Sequence, residues 1–333
     1  MRAPPRLWPH QDEALHLCQR AHAETSSRLL FQFPPGTGKT EVAVRAALDW
    51  MKRRPFGRVV TAVPTAPILD QFYRRLALSC PSPVAIDKAG KHALPTARCV
   101  VASINSLWGR LDKYDPDVLL IYDEAHHANL EAEENLRVAR GFQHVLGLTA
   151  NAWPPGCAAL WGPPALVLRL RDAQRQGRCD QCGTWQRVAQ GGGPCHGCQA
   201  PVTTLSPPYR LHRWSAPHGP FGIAFYGSNA EAEAAAHKIP GATWVGVNSG
   251  QVPERIAAWR AGRYPVICAN MMLREGFDEP RCHNVWIAKA TASDVLYVQM
   301  AGRALRTEPG KVAHLHCQTP TIADGVREAL LRC

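Results

Sequence analysis

Three clusters in this 333-residue chain have residue types and spacings suited to chemistry. The first is Phe31-Gln32-Phe33-Pro34-Pro35-Gly36-Thr37-Gly38-Lys39-Thr40. An apolar run, Leu29 to Phe31, reads as a short buried strand. A Pro/Gly turn follows, and a helix is expected from Thr40 or Glu41. Strand, glycine loop and helix N-terminus together form an anion cradle. Glycine lets the backbone turn its N–H groups toward a phosphate, and the helix end adds partial positive charge. Lys39 is placed to reach the outer phosphates of a nucleotide, and the Thr40 hydroxyl to ligate Mg²⁺. The strict pattern G-x-x-x-x-G-K-[ST] wants glycine where this chain has Phe33.

The second cluster supplies carboxylates. Val118 to Tyr122 is a continuous apolar run, the pattern of a parallel strand buried on both faces, and it ends in Asp123-Glu124-Ala125-His126. Asp123 is suited to hold Mg²⁺ opposite Thr40, and Glu124 to polarise an attacking water as general base. His126 is suited to couple the nucleotide to its surroundings by hydrogen bonding. A third cluster, Gln299, Arg303 and Arg306, would share one face of a single helix running from Ser293 or Asp294 through Arg306. Guanidiniums there suit a γ-phosphate, a role worth roughly 10³ to 10⁵ in rate. Glycine at 302 is costly inside a helix and points to a close approach.

The elements that must position these residues follow an α/β rhythm. Strands are expected at 58–63, 99–102 and 144–148, and a helix at 68–78. A second α/β unit has strands at 221–226, 243–247, 265–269 and 284–288. Thr65, Ser103 and Ser249 fall near expected strand ends, where open α/β sheets bind ligands. Residues 171–212 break the rhythm. They carry Cys179-x-x-Cys182 and Cys195-x-x-Cys198, separated by twelve residues. Four thiolates in two knuckles close a tetrahedral Zn²⁺ site with no open position, so its zinc is structural. Arginines crowd this stretch, and Trp185 lies between the knuckles. Two uses stay open: a basic ribbon that grips a backbone and stacks a base, or a stapled spacer with Trp185 in its small core.

Composition agrees with a two-domain globular protein bearing a small insertion. The formal net charge of +11 favours a polyanionic partner. Twelve cysteines, four of them in C-x-x-C pairs, suit a reducing compartment with one metal site better than a disulfide framework. No apolar run is long enough to span a membrane, and the first residues lack the apolar stretch of a signal peptide. The expected compartment is the cytoplasm, of a bacterial or phage-infected cell.

Together the motifs resemble superfamily 2 helicases, in the branch of RadD-like repair helicases, the type III restriction helicase subunit and XPB. Gly36-Thr37-Gly38-Lys39-Thr40 looks like their first motif, and Asp123-Glu124-Ala125-His126 like the DEAH form of the second. Thr149-Ala150-Asn151 is similar to the third, with Asn151 departing from it. Glu275-Gly276-Phe277-Asp278 resembles the fifth, and Gln299-x-x-Gly302-Arg303-x-x-Arg306 the sixth. Gln11 fits the upstream glutamine that reads adenine. The resemblance implies two RecA-like lobes, 1–170 and 213–333, with the zinc ribbon at 171–212. It implies ATP–Mg²⁺ hydrolysis at the interface of the lobes, with Gly276, Asp278 and Gln299 near the nucleotide. It also implies movement along or unwinding of nucleic acid, DNA before RNA, by a monomer in replication, recombination or repair, with the loops around Thr65, Ser103 and Ser249 facing the strand. RadD-like proteins also carry a cysteine-rich zinc element, and the expectation is of two motor lobes and little besides. The alternatives are a translocase or remodeller that does not unwind, and a nucleotide-switched binding protein. Glu124 together with Arg303 and Arg306 argues against a pure switch, which needs neither water activation nor charge neutralisation.

Overall fold

The computed structural model describes residues 7–94, 96–115, 118–128, 133–150, 160–190, 192–247, 249–270, 272–273 and 277–333. By contacts the chain divides into two units. One is Met1–Phe33 with Gly38–Leu168; the other is Pro34–Thr37 with Arg169–Cys333.

The first unit is built on a seven-stranded parallel sheet. Its strands are β1 (Ser27–Gln32), β2 (Val59–Val63), β3 (Val84–Asp87), β4 (Cys99–Ser103), β5 (Leu119–Asp123), β6 (His144–Thr149) and β7 (Leu166–Val167). The order is β3-β4-β2-β5-β6-β1-β7. Helices α1 (Pro9–Ala21), α2 (Lys39–Arg53), α3 (Ala66–Ser79), α4 (Ile104–Trp108) and α5 (Glu133–Arg140) accompany it. β2, β5 and β6 are buried along their whole length, as their unbroken apolar runs require. A core of Leu120, Tyr122, Val145, Trp161 and their neighbours packs against one face of the sheet. Pro67 stands in the first turn of α3, where its missing N–H costs nothing.

The second unit holds a six-stranded parallel sheet and a three-stranded antiparallel ribbon. A short helix, α6 (Leu170–Ala173), leads into the ribbon strands β8 (Gln176–Cys179), β9 (Trp185–Arg187) and β10 (Val202–Thr204), in the order β10-β8-β9. The larger sheet runs β11-β16-β15-β12-β14-β13. Its strands are β11 (Tyr209–Arg213), β12 (Gly222–Phe225), β13 (Thr243–Val245), β14 (Val266–Ala269), β15 (Asn284–Ile287) and β16 (Ala313–Cys317). Helices α7 (Asn229–Lys238), α8 (Val252–Arg260), α9 (Asp294–Ala301) and α10 (Pro320–Arg332) complete it. Ser228 caps α7 by accepting from Glu231 N, and Thr319 caps α10 by accepting from Ile322 N.

Two differences from the sequence reading matter. Residues 209–213 pair with β16 as an edge strand of the large sheet, so the irregular insertion closes before residue 209. The helix expected through Arg306 stops at Ala301. Gly302 follows with its N–H on Val298 O at 2.8 Å, and the next N–H groups bond three residues back, Arg303 to Met300 and Ala304 to Ala301. A Cβ at position 302 would lie 2.7 Å from Val298 O and 2.8 Å from the Pro35 ring, so the close approach expected of this glycine is both to the preceding turn and to Pro35. Gln299, Arg303 and Arg306 therefore do not share one helical face. Arg303 and Arg306 sit in the turn beyond the helix.

Among the described residues, no helix is long and apolar enough to cross a membrane.

Candidate functional site

Parallel register brings the motifs of the first unit to one edge of its sheet. β1, β6 and β5 are neighbours, with Gln32 opposite Thr149 and Asp123 opposite Leu148. All three strands end together there, so the glycine loop, Thr149 and Asp123 emerge side by side at their C-terminal ends. This is where open α/β sheets hold ligands.

The loop itself is locally determined. Gly36 and Gly38 have φ of +82° and +85°, a region that side chains disfavour. Thr37 turns back on Pro34, its hydroxyl donating to Pro34 O at 2.7 Å. Phe33, where the strict motif has glycine, is fully buried and takes His10 edge-on at 5.0 Å. Its carbonyl accepts from Lys39 Nζ at 3.1 Å, so the lysine folds over the loop. Lys39 and Thr40 open α2, whose first turn also carries Glu41. Gln11 leans on the same loop. Its Oε1 accepts from Trp8 N at 2.9 Å, capping α1, and its Nε2 lies 3.4 Å from Gly38 O. A Cβ at Gly38 would meet that Nε2 at 2.1 Å.

At the end of β5, Asp123 is buried and Glu124 takes a left-handed conformation, φ 52° and ψ 53°. A non-glycine residue there carries strain that the surrounding fold must hold. The turn swings Glu124 Oε2 to 3.4 Å from His126 Nδ1. The same nitrogen lies 3.2 Å from Thr149 Oγ1, with His126 only 4% exposed. The second and third motifs are thus linked through one buried imidazole. Asn151 lies outside the described residues.

Of the loop residues expected to meet nucleic acid, Thr65 and Ser103 fall together. Ser103 ends β4 opposite Val63, and Thr65 follows β2 as the residue before α3. The Thr65 hydroxyl oxygen is buried with no hydrogen-bond partner. Ser249 is different: its hydroxyl accepts from Gly246 N and donates to Gly246 O, both at 3.0 Å. Trp185 stands on β9 opposite Arg178, half-buried.

In the second unit, Arg303 is buried and turned onto backbone. Its Nε donates to Gln299 O at 3.2 Å and its Nη1 to Phe277 O. Arg306 pairs with Asp278, Nε to Oδ1 at 3.3 Å. Lys311 closes the arrangement by donating to Pro280 O at 2.5 Å and Arg306 O at 3.0 Å. Burial pushes its ammonium down to about 8. The fifth-motif segment is therefore hung from the sixth-motif turn by two arginines and a lysine. Gly276 lies outside the described residues. The sequence marks Lys311 only as the end of a Pro-Gly-Lys turn before a strand; its bonds to the carbonyls of Pro280 and Arg306 come from the fold.

The four ribbon cysteines converge. Their Sγ atoms all lie within 4.8 Å of one another, with Cys179 to Cys198 at 3.4 Å and Cys182 to Cys195 at 3.6 Å. Zinc–sulfur bonds of about 2.3 Å put tetrahedral sulfurs about 3.8 Å apart, so the set fits Zn²⁺. Gly183, with φ +71°, shapes the first knuckle, and Gln199, with φ +61°, the second. Hydrogen bonding with Thr184 holds the Cys182 thiol down to about 6. His196 is exposed, and its backbone N–H donates to Gln186 Oε1.

The fold and these motifs define the class: an α/β protein with a glycine-rich P-loop and an added four-cysteine element. Residues 5–152 match the family described as Type III restriction enzyme, res subunit. No curated protein matches the chain. Among solved structures, S. cerevisiae Dbp5 bound to RNA and ADP BeF3 is 13% identical with a TM-score of 0.63, over 98% of this chain and 92% of that one. The ATP-dependent Type ISP restriction-modification enzyme LlaBIII bound to DNA is 14% identical with a TM-score of 0.69, over 100% of this chain and 30% of that one. The DUF1998 helicase MrfA bound to DNA is 14% identical with a TM-score of 0.66, over 98% and 48%. The chain thus spans less than half the length of LlaBIII and MrfA. At these identities the likeness is one of fold.

Proposed function

We propose that this protein couples ATP hydrolysis to movement along nucleic acid, with DNA preferred. The observation that carries the reading is the meeting of the glycine loop, Asp123-Glu124 and the His126–Thr149 contact at one edge of the first sheet. In this reading, the loop N–H groups of Gly36 to Lys39 cradle the phosphates, Lys39 leaves the Phe33 carbonyl for the β- and γ-phosphates, and Gln11 reads adenine. Thr40 and Asp123 hold Mg²⁺, which neutralises phosphate charge when bound. Glu124 orients the attacking water and His126 relays the state of the nucleotide to Thr149. Arg306 supplies charge to the departing phosphate, with Asp278 paired to it and Arg303 bracing Phe277 and Gln299 through their carbonyls.

The net charge of +11 supports a polyanionic track. Dbp5 is bound to RNA, and LlaBIII and MrfA to DNA. Backbone contacts by the loops at Thr65 and Ser103 would make binding salt-dependent and largely blind to sequence. Zinc in the ribbon is structural. The test is phosphate release with no nucleic acid, with single-stranded DNA and with RNA. Stimulation by DNA above RNA, abolished in Lys39→Ala, is expected; turnover in Lys39→Ala equal to wild type would overturn the loop assignment. Strand displacement on a forked duplex then separates unwinding from translocation alone.

A further inference from the structure

One stretch is left unused by the nucleotide chemistry: Lys52-Arg53-Arg54-Pro55-Phe56-Gly57-Arg58, four cations and an aromatic within seven residues. It forms the end of α2 and the turn into β2. A cleft of about 440 Å³ opens there, lined by Arg53, Arg54, Phe56, Arg58, Asp115 and Val118 among others. Leu119 N bonds to Arg58 O and Val59 N to Arg98 O, which puts the cleft at the N-terminal ends of β5 and β2. That is the end of the sheet opposite the glycine loop and Asp123.

The turn is held rigidly. Arg98 donates to Gly57 O at 3.3 Å, Met51 O at 3.1 Å and Arg54 O at 3.4 Å, satisfying carbonyls at the end of α2. Arg54 lies over the Trp50 ring at 4.0 Å and donates to His22 O. Arg53 pairs with Asp49 at 2.8 Å and stays half-exposed. Arg58 donates from Nε to Ala97 O, while its Nη2 is buried with no hydrogen-bond partner. Against three guanidiniums, Asp115 is the carboxylate among the described lining residues. Phe56 is 93% exposed, so its ring contributes nothing to the core.

We propose that this cleft is a second nucleic-acid contact. It takes a backbone phosphate of a single-stranded segment against Arg53 and Arg58 and stacks a base on Phe56. A guanidinium pair meets phosphate through parallel N–H groups, and a neighbouring ring accepts any base face. The cleft volume suits one nucleotide unit. An acidic protein segment would use the charge and leave Phe56 idle. The contact does not depend on hydrolysis, so its test is independent of the motor reading.

The full chain, without nucleotide, is photo-cross-linked to a short single-stranded oligonucleotide carrying 5-iodouracil, and the adducts are mapped. An adduct on the peptide containing Phe56 is expected. Phe56→Ala should lose that adduct, weaken binding about tenfold and leave basal ATP hydrolysis and thermal melting unchanged. Arg53→Glu should weaken binding and lower the salt slope by about one. Adducts confined to the loops near Thr65 and Ser103, with full affinity in Phe56→Ala, would overturn the proposal. So would displacement of the oligonucleotide by polyglutamate with no Phe56 adduct, which would assign the cleft to acidic protein segments.

Discussion

Glu124 sits in a strained left-handed conformation beside His126, a geometry no spacing announces. Glu124→Gln should keep nucleotide affinity and lose most turnover, measured by nucleotide titration alongside phosphate release. Arg303 spends its guanidinium on the carbonyls of Gln299 and Phe277. Its removal orphans both, so Arg303→Ala should destabilise the second unit by about 1–3 kcal/mol in denaturant titration. Arg306 instead pairs with the half-exposed Asp278 and can be removed with far less structural cost. Gly38 was legible as a glycine the loop needs. That its missing Cβ also makes room for Gln11 comes only from the folded chain.

At the scale of elements, most strands of both sheets were legible because buried parallel strands are unbroken apolar runs; β3 and β7, the short strands at the two edges of the first sheet, were not. The end of α9 was not. Helical spacing continues past Gly302 on paper, while the chain tightens there into a turn. β11 was missed for a similar reason. Tyr209–Arg213 alternates basic and apolar residues at a sheet edge, which reads as linker. The ribbon was plain from its cysteines. Its apolar core is little more than Cys179, Cys195 and Val202 with Val188 and Ala200, too small to fold unaided. One zinc per chain is expected by metal analysis, and strong chelation or Cys179→Ser should melt the ribbon while both parallel sheets persist in hydrogen exchange.

Buried histidines give each unit an acid sensitivity. Burial, with His212, His218 and His314 nearby, pushes His316 down to about 4; burial and His144 do the same to His22. Between about 6.5 and about 4 the unfolded chain takes protons that the folded chain refuses, so stability falls as pH drops through that window. His316→Asn should flatten the dependence of melting temperature on pH there; an unchanged slope would contradict this origin.

For the whole molecule, charge and motif order pointed to a polyanion-tracking ATPase, and the two parallel sheets are the fold that motif order implied. What motif order left unread was the second unit's internal bracing, where Lys311, Arg303 and Arg306 tie 277–280 to 303–311 through backbone carbonyls and Asp278. Such contacts join residues far apart in sequence and leave no local pattern. The proposed charge role of Arg306 in hydrolysis is tested most directly by phosphate release from Arg306→Ala at saturating single-stranded DNA, with nucleotide affinity measured in parallel. Intact nucleotide binding and loss of DNA-stimulated hydrolysis, by roughly 10³-fold or more, are expected. Full stimulation in Arg306→Ala would contradict that role.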